Sequence, residues 1–226
     1  MISQYDHCLF VHIPKVAGQS IEQVFLTRAG LTWQQREKFL LKANHDPIIG
    51  PPRLAHLTAS EYVTKGHIQQ KEFEKLFRFT FIRNPWDRLV SEYLYRGHTF
   101  SFKDWLFKHF PTQDDDDYQG AYDAYRHIKP QYDFLYDQRG NLLVDYVGRF
   151  EHLAEDFAKV SELITGQRLS LPHQNKTPIG GIKHKLRTLV LPNRRPNYQT
   201  YYDTESREFV AHFYAQDIKH FSYQFV

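Results

Sequence analysis

Phe10–Phe25 reads FVHIPKVAGQSIEQVF. The apolar run breaks at Pro14, turns through Gly18 and resumes with Ile21, Val24 and Phe25 on one helical face. A buried strand therefore passes through a tight turn into a helix, and that turn carries a lysine, Lys15. Helix N-termini leave backbone N–H groups unpaired and partly positive, so the turn Pro14–Ser20 has the means to wrap an anion with main-chain donors. Gly18 lets the backbone approach closely or take a positive φ. Lys15 adds a mobile charge and Ser20 a hydroxyl. A capping box of Ser20 with Gln23 explains the serine without a ligand, but gives the lysine no role.

The pattern recurs along the chain. Strand candidates are Cys8 to Ile13, Phe77 to Arg83 and Leu142 to Phe150, each followed by a helical pattern. Strand then helix, repeated with long spacers, argues for α/β architecture with a mostly parallel sheet and crossover helices. A last helix is expected near Glu205 to His220, with Phe209, Val210, Phe213 and Tyr214 on its buried side. The stretch Phe100 to Tyr136 reads as helical pieces around Trp105 and Tyr125. At 226 residues, 41% of them hydrophobic, one domain spanning 1–226 is expected.

Composition excludes several classes. A single cysteine, Cys8, rules out a disulfide framework and fits a reducing compartment. No apolar run approaches the roughly 20 residues that span a bilayer, and MISQYDH is unlike a signal peptide, so a cytoplasmic protein without a transmembrane segment is expected. The net charge is +3, yet from Leu163 to Tyr202 there is no Asp or Glu, while Arg168, Lys176, Lys183, Lys185, Arg187, Arg194 and Arg195 fall there. That segment should attract anions. The run Asp114–Asp117 reads as a solvated loop, since adjacent carboxylates rarely converge on one ion.

The second informative stretch is FRFTFIRNPWDRLVSEYLYR, Phe77–Arg96. Pro85 suits a first helical turn, Asn84 is a good N-cap and Asp87 resembles a capping carboxylate. Arg83 then emerges at the strand's end, within reach of Ser91 about 10 Å along the helix. Arg88 and Glu92 look like a surface i,i+4 pair. The order of Lys15 and Gly18 is wrong for a nucleotide triphosphatase loop, in which lysine follows the second glycine.

HIPKVAGQS (12–20) followed by FTFIRNPWDRLVSEY (79–93) resembles the sulfotransferases that use 3′-phosphoadenosine 5′-phosphosulfate (PAPS), in the carbohydrate branch that includes heparan sulfate 2-O-sulfotransferase. PQYDFLYD (130–137), LLVDYVGRFEHLAEDF (142–157), LPHQNKT (171–177) and the terminal YYDTESREFVAHFYAQDIKHFSY (201–223) extend the resemblance over nearly the whole chain. It implies a P-loop-like three-layer α/β fold with a central, mostly parallel sheet flanked by helices. It implies that Lys15, Val16, Ala17, Gly18, Gln19 and Ser20 bind the 5′-phosphosulfate, and that Arg83 and Ser91 bind the 3′-phosphate with Lys176 as a further contact. Val16 and Gln19 depart from the commoner Lys-Thr-Ala-Gly-Thr-Ser, but main-chain donors survive both changes.

In such a reaction an acceptor hydroxyl attacks sulfur in line, Lys15 stabilises charge growing on the bridging oxygen, and 3′-phosphoadenosine 5′-phosphate (PAP) leaves. No metal is required. The resemblance points to His56, in LAHLTASEY (54–62), as the general base, with His67 as the alternative. Thr58 with Glu61 offers a capping box beside it, so a structural histidine is the bland alternative. The implied acceptor is an oligosaccharide or glycan, which Trp33, Trp86, Trp105, Tyr118, Tyr122 and Tyr125 could stack against. Two other classes remain open: a kinase using ATP and magnesium, and a polyanion-binding module built on the basic segment.

Overall fold

Strand β2 (Cys8–Val11) is buried at every position, as strands inside a parallel sheet are, and β1 (Ile2–Ser3) pairs with it antiparallel. The computed structural model describes residues 1–172 and 197–226. They form two compact units. The first holds residues up to Arg83 and resumes at Thr112; the second holds Asn84–Pro111 and the described chain from Asn197.

In the first unit, β1 and β2 are followed by helix α1 (Gly18–Arg28), the short helices α2 (Glu61–Thr64) and α3 (Gln70–Phe73), and strand β3 (Phe77–Ile82). After Thr112 come the hairpin strands β4 (Asp116–Asp117) and β5 (Tyr122–Asp123). Strand β6 (Tyr146–Arg149) completes a four-stranded sheet of order β1-β2-β3-β6. β2 with β3 and β3 with β6 are parallel, with Phe10 opposite Phe79 and Phe81 opposite Gly148. The protein is thus α/β with a central, mostly parallel sheet flanked by helices, as expected.

Aromatic rings fill the core on one sheet face. Phe10 stacks on Phe79 at 5.0 Å, Phe25 of α1 meets Phe79 at 5.6 Å, and Phe157 meets Phe25 edge to face. Gly148 is required by packing: a Cβ there would stand 2.5 Å from the Phe81 ring.

All three expected strands form, each shorter than its apolar run. The third starts at Tyr146, because Leu142 is used in a bridge to Tyr136 across a turn that Asp137 caps. Asp145 therefore precedes its strand, and its carboxylate binds the Arg78 guanidinium and backbone N–H. The acidic run is also more ordered than a solvated loop. Asp115 caps Thr112, Asp117 accepts from the N–H groups of Gln119 and Gly120, and Asp116 accepts from that of Tyr125. Separate caps keep these carboxylates apart.

The second unit begins with α4 (Pro85–Arg96), whose N-cap Asn84 accepts from the Trp86 N–H at 3.1 Å as the motif predicts. Arg88 and Glu92 are buried, not a surface pair, and Glu92 engages Arg96. Trp86 donates its indole N–H to the Arg207 carbonyl, and Trp105 is buried among Tyr93, Phe102 and Phe110. These two tryptophans are core, not stacking platforms. The C-terminal helix is two helices, Thr204–Phe213 and Ala215–Phe221, broken at Tyr214. Val210 and Tyr214 are buried, whereas Phe209 and Phe213 are only partly so. Among the described residues no helix is long and apolar enough to cross a membrane.

Candidate active site

The loop after β2 is strained where its sequence offers no glycine. Lys15 (φ 73°) and Ala17 (φ 68°) both take the left-handed conformation, at a cost of about 1–2 kcal/mol each for residues bearing a Cβ. Val16 between them keeps a negative φ. Alternating handedness of this kind turns successive N–H groups toward one concavity, the geometry of an anion nest. Among the described residues the N–H groups of Val16 and Ala17 carry no hydrogen bond, and those of Gly18 and Gln19 open a helix where no intrahelical acceptor exists. Such a donor set suits a phosphate or sulfate group.

Helix α1 starts at Gly18 with Ala17 as its N-cap, so Ser20 sits inside the first turn and the alternative reading of a Ser20–Gln23 capping box does not hold. Gly18 is needed for close approach, not for positive φ. An ideal Cβ on it would lie 1.9 Å from Nε2 of His12. The His12 ring is buried, stacks on Phe10 and has its Nδ1 2.6 Å from Oε1 of Glu22, a buried carboxylate on α1. Lys15 is half-buried, Gln19 exposed and Ser20 buried.

His56 closes a 3-10 turn, Leu54–His56, and is buried. Its ring meets His12 edge-on at 4.8 Å and His127 at 4.9 Å. Its Nδ1 lies 2.6 Å from Oδ2 of Asp123, the last residue of β5. Oδ1 of that carboxylate lies 3.4 Å from His127 Nε2 and 3.9 Å from Arg53 Nε. Burial pushes His56 down to about 4, against the raising influence of Asp123, while His12 and His127 act in the same direction as burial. The imidazole is neutral at pH 7. Because a carboxylate accepts, Nδ1 carries the proton and Nε2 the lone pair. Among the described residues, His56 Nε2 has no hydrogen-bond partner. The Thr58–Glu61 box forms as well, with Thr58 N–H donating to Glu61 Oε2 at 2.8 Å and Glu61 N–H to Thr58 Oγ1. It fixes the segment without engaging the His56 ring. His67, the alternative base, spends Nε2 on the Ile49 carbonyl.

Arg83 follows β3 and is buried in the first unit. Its guanidinium donates to the Lys15 carbonyl at 3.1 Å and lies 4.2 Å from the Phe150 ring centre. Gln131 brackets its peptide, accepting from the Arg83 N–H at 2.9 Å and donating to the Arg83 carbonyl at 2.8 Å. A direct bond thus ties the end of β3 to the loop after β2. Ser91 is half-buried on α4 in the second unit. Lys176, together with Lys183, Lys185, Arg187, Arg194 and Arg195, lies outside the described residues.

Five residues of this site were not singled out from the sequence: His12, Glu22, Asp123, His127 and Gln131. Thirteen histidines made counting useless. Two local signals exist nonetheless: Glu22 is an acid beside the apolar positions Ile21 and Phe25 of α1, and Asp123 with His127 has i,i+4 spacing.

The model of the sulfotransferase family matches residues 1–224. The chain belongs to that family. It is also similar to an uncharacterized protein of Archaeoglobus fulgidus, 31% identical over 109 residues, which are 46% of this chain and 79% of that protein. No solved structure matches. The protein is accordingly a sulfotransferase, an enzyme that takes a sulfuryl group from a small-molecule donor to an acceptor.

Proposed function

We propose that residues 1–226 act as one domain that transfers the sulfuryl group of PAPS to a carbohydrate hydroxyl, with His56 as general base. One observation carries this reading: the buried His56 has Nδ1 tied to a carboxylate and Nε2 without a partner among the described residues, and its ring meets that of His12, which packs against Gly18 of the loop. A base and an anion cradle so close suit attack on a bound phosphosulfate.

His56 Nε2 takes the proton of the acceptor hydroxyl as its oxygen bonds to sulfur. The bond from sulfur to the bridging oxygen breaks, and Lys15 neutralises the charge on the departing PAP. Val16, Ala17, Gly18 and Gln19 offer main-chain donors to the 5′ end, with Ser20 adding its hydroxyl. Arg83, Ser91 and Lys176 take the 3′-phosphate, roles that rest on the family resemblance. The oligosaccharide acceptor rests on the same ground and on the acid-free segment 163–202, and the lone cysteine fits a cytoplasmic setting.

The test is a thermal-shift comparison of PAP, ATP with magnesium and an oligonucleotide, joined to an acceptor screen with radiolabelled PAPS. Stabilisation by PAP alone and loss of turnover in His56→Ala are expected. Stabilisation by ATP with magnesium but not PAP would overturn the donor assignment in favour of a kinase.

A further inference from the structure

Beyond the loop and its base, one cluster stands out. His56, Asp123 and His127, all buried, bring three side-chain ligand atoms within 4.8 Å of one another. Such a group invites a metal, but its geometry is that of a hydrogen bond. His56 Nδ1 and Asp123 Oδ2 are 2.6 Å apart, whereas two ligands of one tetrahedral zinc, each at about 2.0 Å, stay about 3.3 Å apart. The same carboxylate also lies 3.9 Å from Arg53 Nε, a permanent cation.

We infer that Asp123 is a positioning residue for the reaction, holding His56 in the tautomer that leaves the Nε2 lone pair for the acceptor hydroxyl. This rests on His56 being the base. A neutral imidazole has one donor and one acceptor nitrogen, and the partner of one decides the role of the other. Asp123 is well made for the task. Its Oδ1 faces Arg53 Nε at 3.9 Å and His127 Nε2 at 3.4 Å, which leaves Oδ2 to the His56 ring, and it ends β5 directly before the helix Ala124–Ile128, so its backbone is fixed on both sides. Asp116, its register partner on β4, is the acid nearest in the ladder, and its own carboxylate is engaged by backbone N–H groups of Tyr125 and Arg126.

His12 repeats the device. Its Nδ1 is held by Glu22 as that of His56 is by Asp123, and the two rings meet edge-on. In both rings a carboxylate oxygen stands 2.6 Å from Nδ1. A contact serving packing alone would tolerate Asn in place of Asp, an isostere that still hydrogen-bonds. Asn, however, can donate to Nδ1 and send the ring proton to Nε2, which removes the base without moving it.

Nitrogen-15 NMR of the histidine side chains of the full chain tests this, with steady-state kinetics beside it. In the unmodified protein His56 should carry its proton on Nδ1; a proton on Nε2 would overturn the proposal whatever the activity of any variant. Asp123→Asn should move the proton to Nε2 and lower kcat by about 10²- to 10⁴-fold, with the KM for donor within about twofold. Asp123→Glu should restore the Nδ1 tautomer and part of kcat. A folded Asp123→Asn with kcat within about threefold of the parent would sink the idea. A fully active His56→Ala in a protein with the expected tautomer would instead reject His56 as the base and leave the Asp123 contact a structural one.

Discussion

The His12 imidazole occupies the space that a Cβ on Gly18 would need, with Nε2 1.9 Å from that ideal position. The ring has little freedom to yield, being hydrogen-bonded to Glu22 and stacked on Phe10. Gly18→Ala should therefore push the start of α1 away from β2 and cost about 1–3 kcal/mol of stability. Urea unfolding reads the loss, and His12→Ala supplies the control. In that background most of the cost of Gly18→Ala should vanish, a coupling of about 0.5–3 kcal/mol. Equal costs in both backgrounds would mean that ring contact is not why a glycine stands here.

Gln131 holds both backbone groups of Arg83 with one amide, and is itself fully buried. Removing it leaves a buried N–H and a buried carbonyl without these partners, each costing about 1–3 kcal/mol. Gln131→Ala should unfold at markedly lower urea and bind PAP more weakly, because Arg83 loses the bracket that aims it. Isothermal titration with PAP on the folded variant separates the two effects. Unchanged affinity would show that the guanidinium is placed without the help of the Gln131 bracket.

The parts legible in the sequence are those set by neighbouring residues. The apolar runs at Cys8 and Phe77 place two strands at their starts, and Asn84 before Pro85 marks the start of α4, since period and capping are local. Asp123 could not be paired with His56 in advance, because 67 residues separate them and only the fold closes that distance. Gly18 was legible as a position of close approach or positive φ; close approach is the reason, to a ring that no local signal named, and the positive φ belongs to Lys15 and Ala17, which no propensity would nominate. The helix break at Tyr214 is similarly tertiary, for the apolar spacing runs on across it.

Lys15 combines a left-handed backbone with a charged side chain, so its two properties can be tested apart. Lys15→Ala should leave the fold intact, since the side chain is half-exposed, and lower kcat by about 10²- to 10³-fold, the scale of one lost oxyanion donor. Lys15→Gly should be equally inactive. It should nevertheless be at least as stable as Lys15→Ala, because relief of about 1–2 kcal/mol of left-handed strain outweighs the larger entropy glycine loses on folding, roughly 0.5–1 kcal/mol. Thermal melts of the pair decide it. An alanine variant more stable than the glycine variant would show that the loop backbone relaxes once the amine is gone.

Burial lowers His56 from 6.5 to about 4, which ties stability to pH in a defined window. Between those values the unfolded chain holds a proton on this residue that the folded chain does not, so acid favours unfolding. The contribution is complete above the unfolded value, falls as pH drops through the window, and amounts to about 3 kcal/mol over its whole width. Other groups titrate there too, among them the buried Met1 amine, lowered to about 5 by desolvation. The informative quantity is thus the difference between the parent and His56→Gln, which has no titrating ring. Urea unfolding across the window should give a parent curve that falls more steeply toward acid than that of the variant. The acid limb of kcat/KM should sit well below 6.5 for the same reason, because His56, the proposed base, keeps its lone pair until pH nears its folded value. Parallel stability curves would mean that the imidazole gains a proton in the folded protein as readily as in water, and that the burial of His56 does not govern its charge.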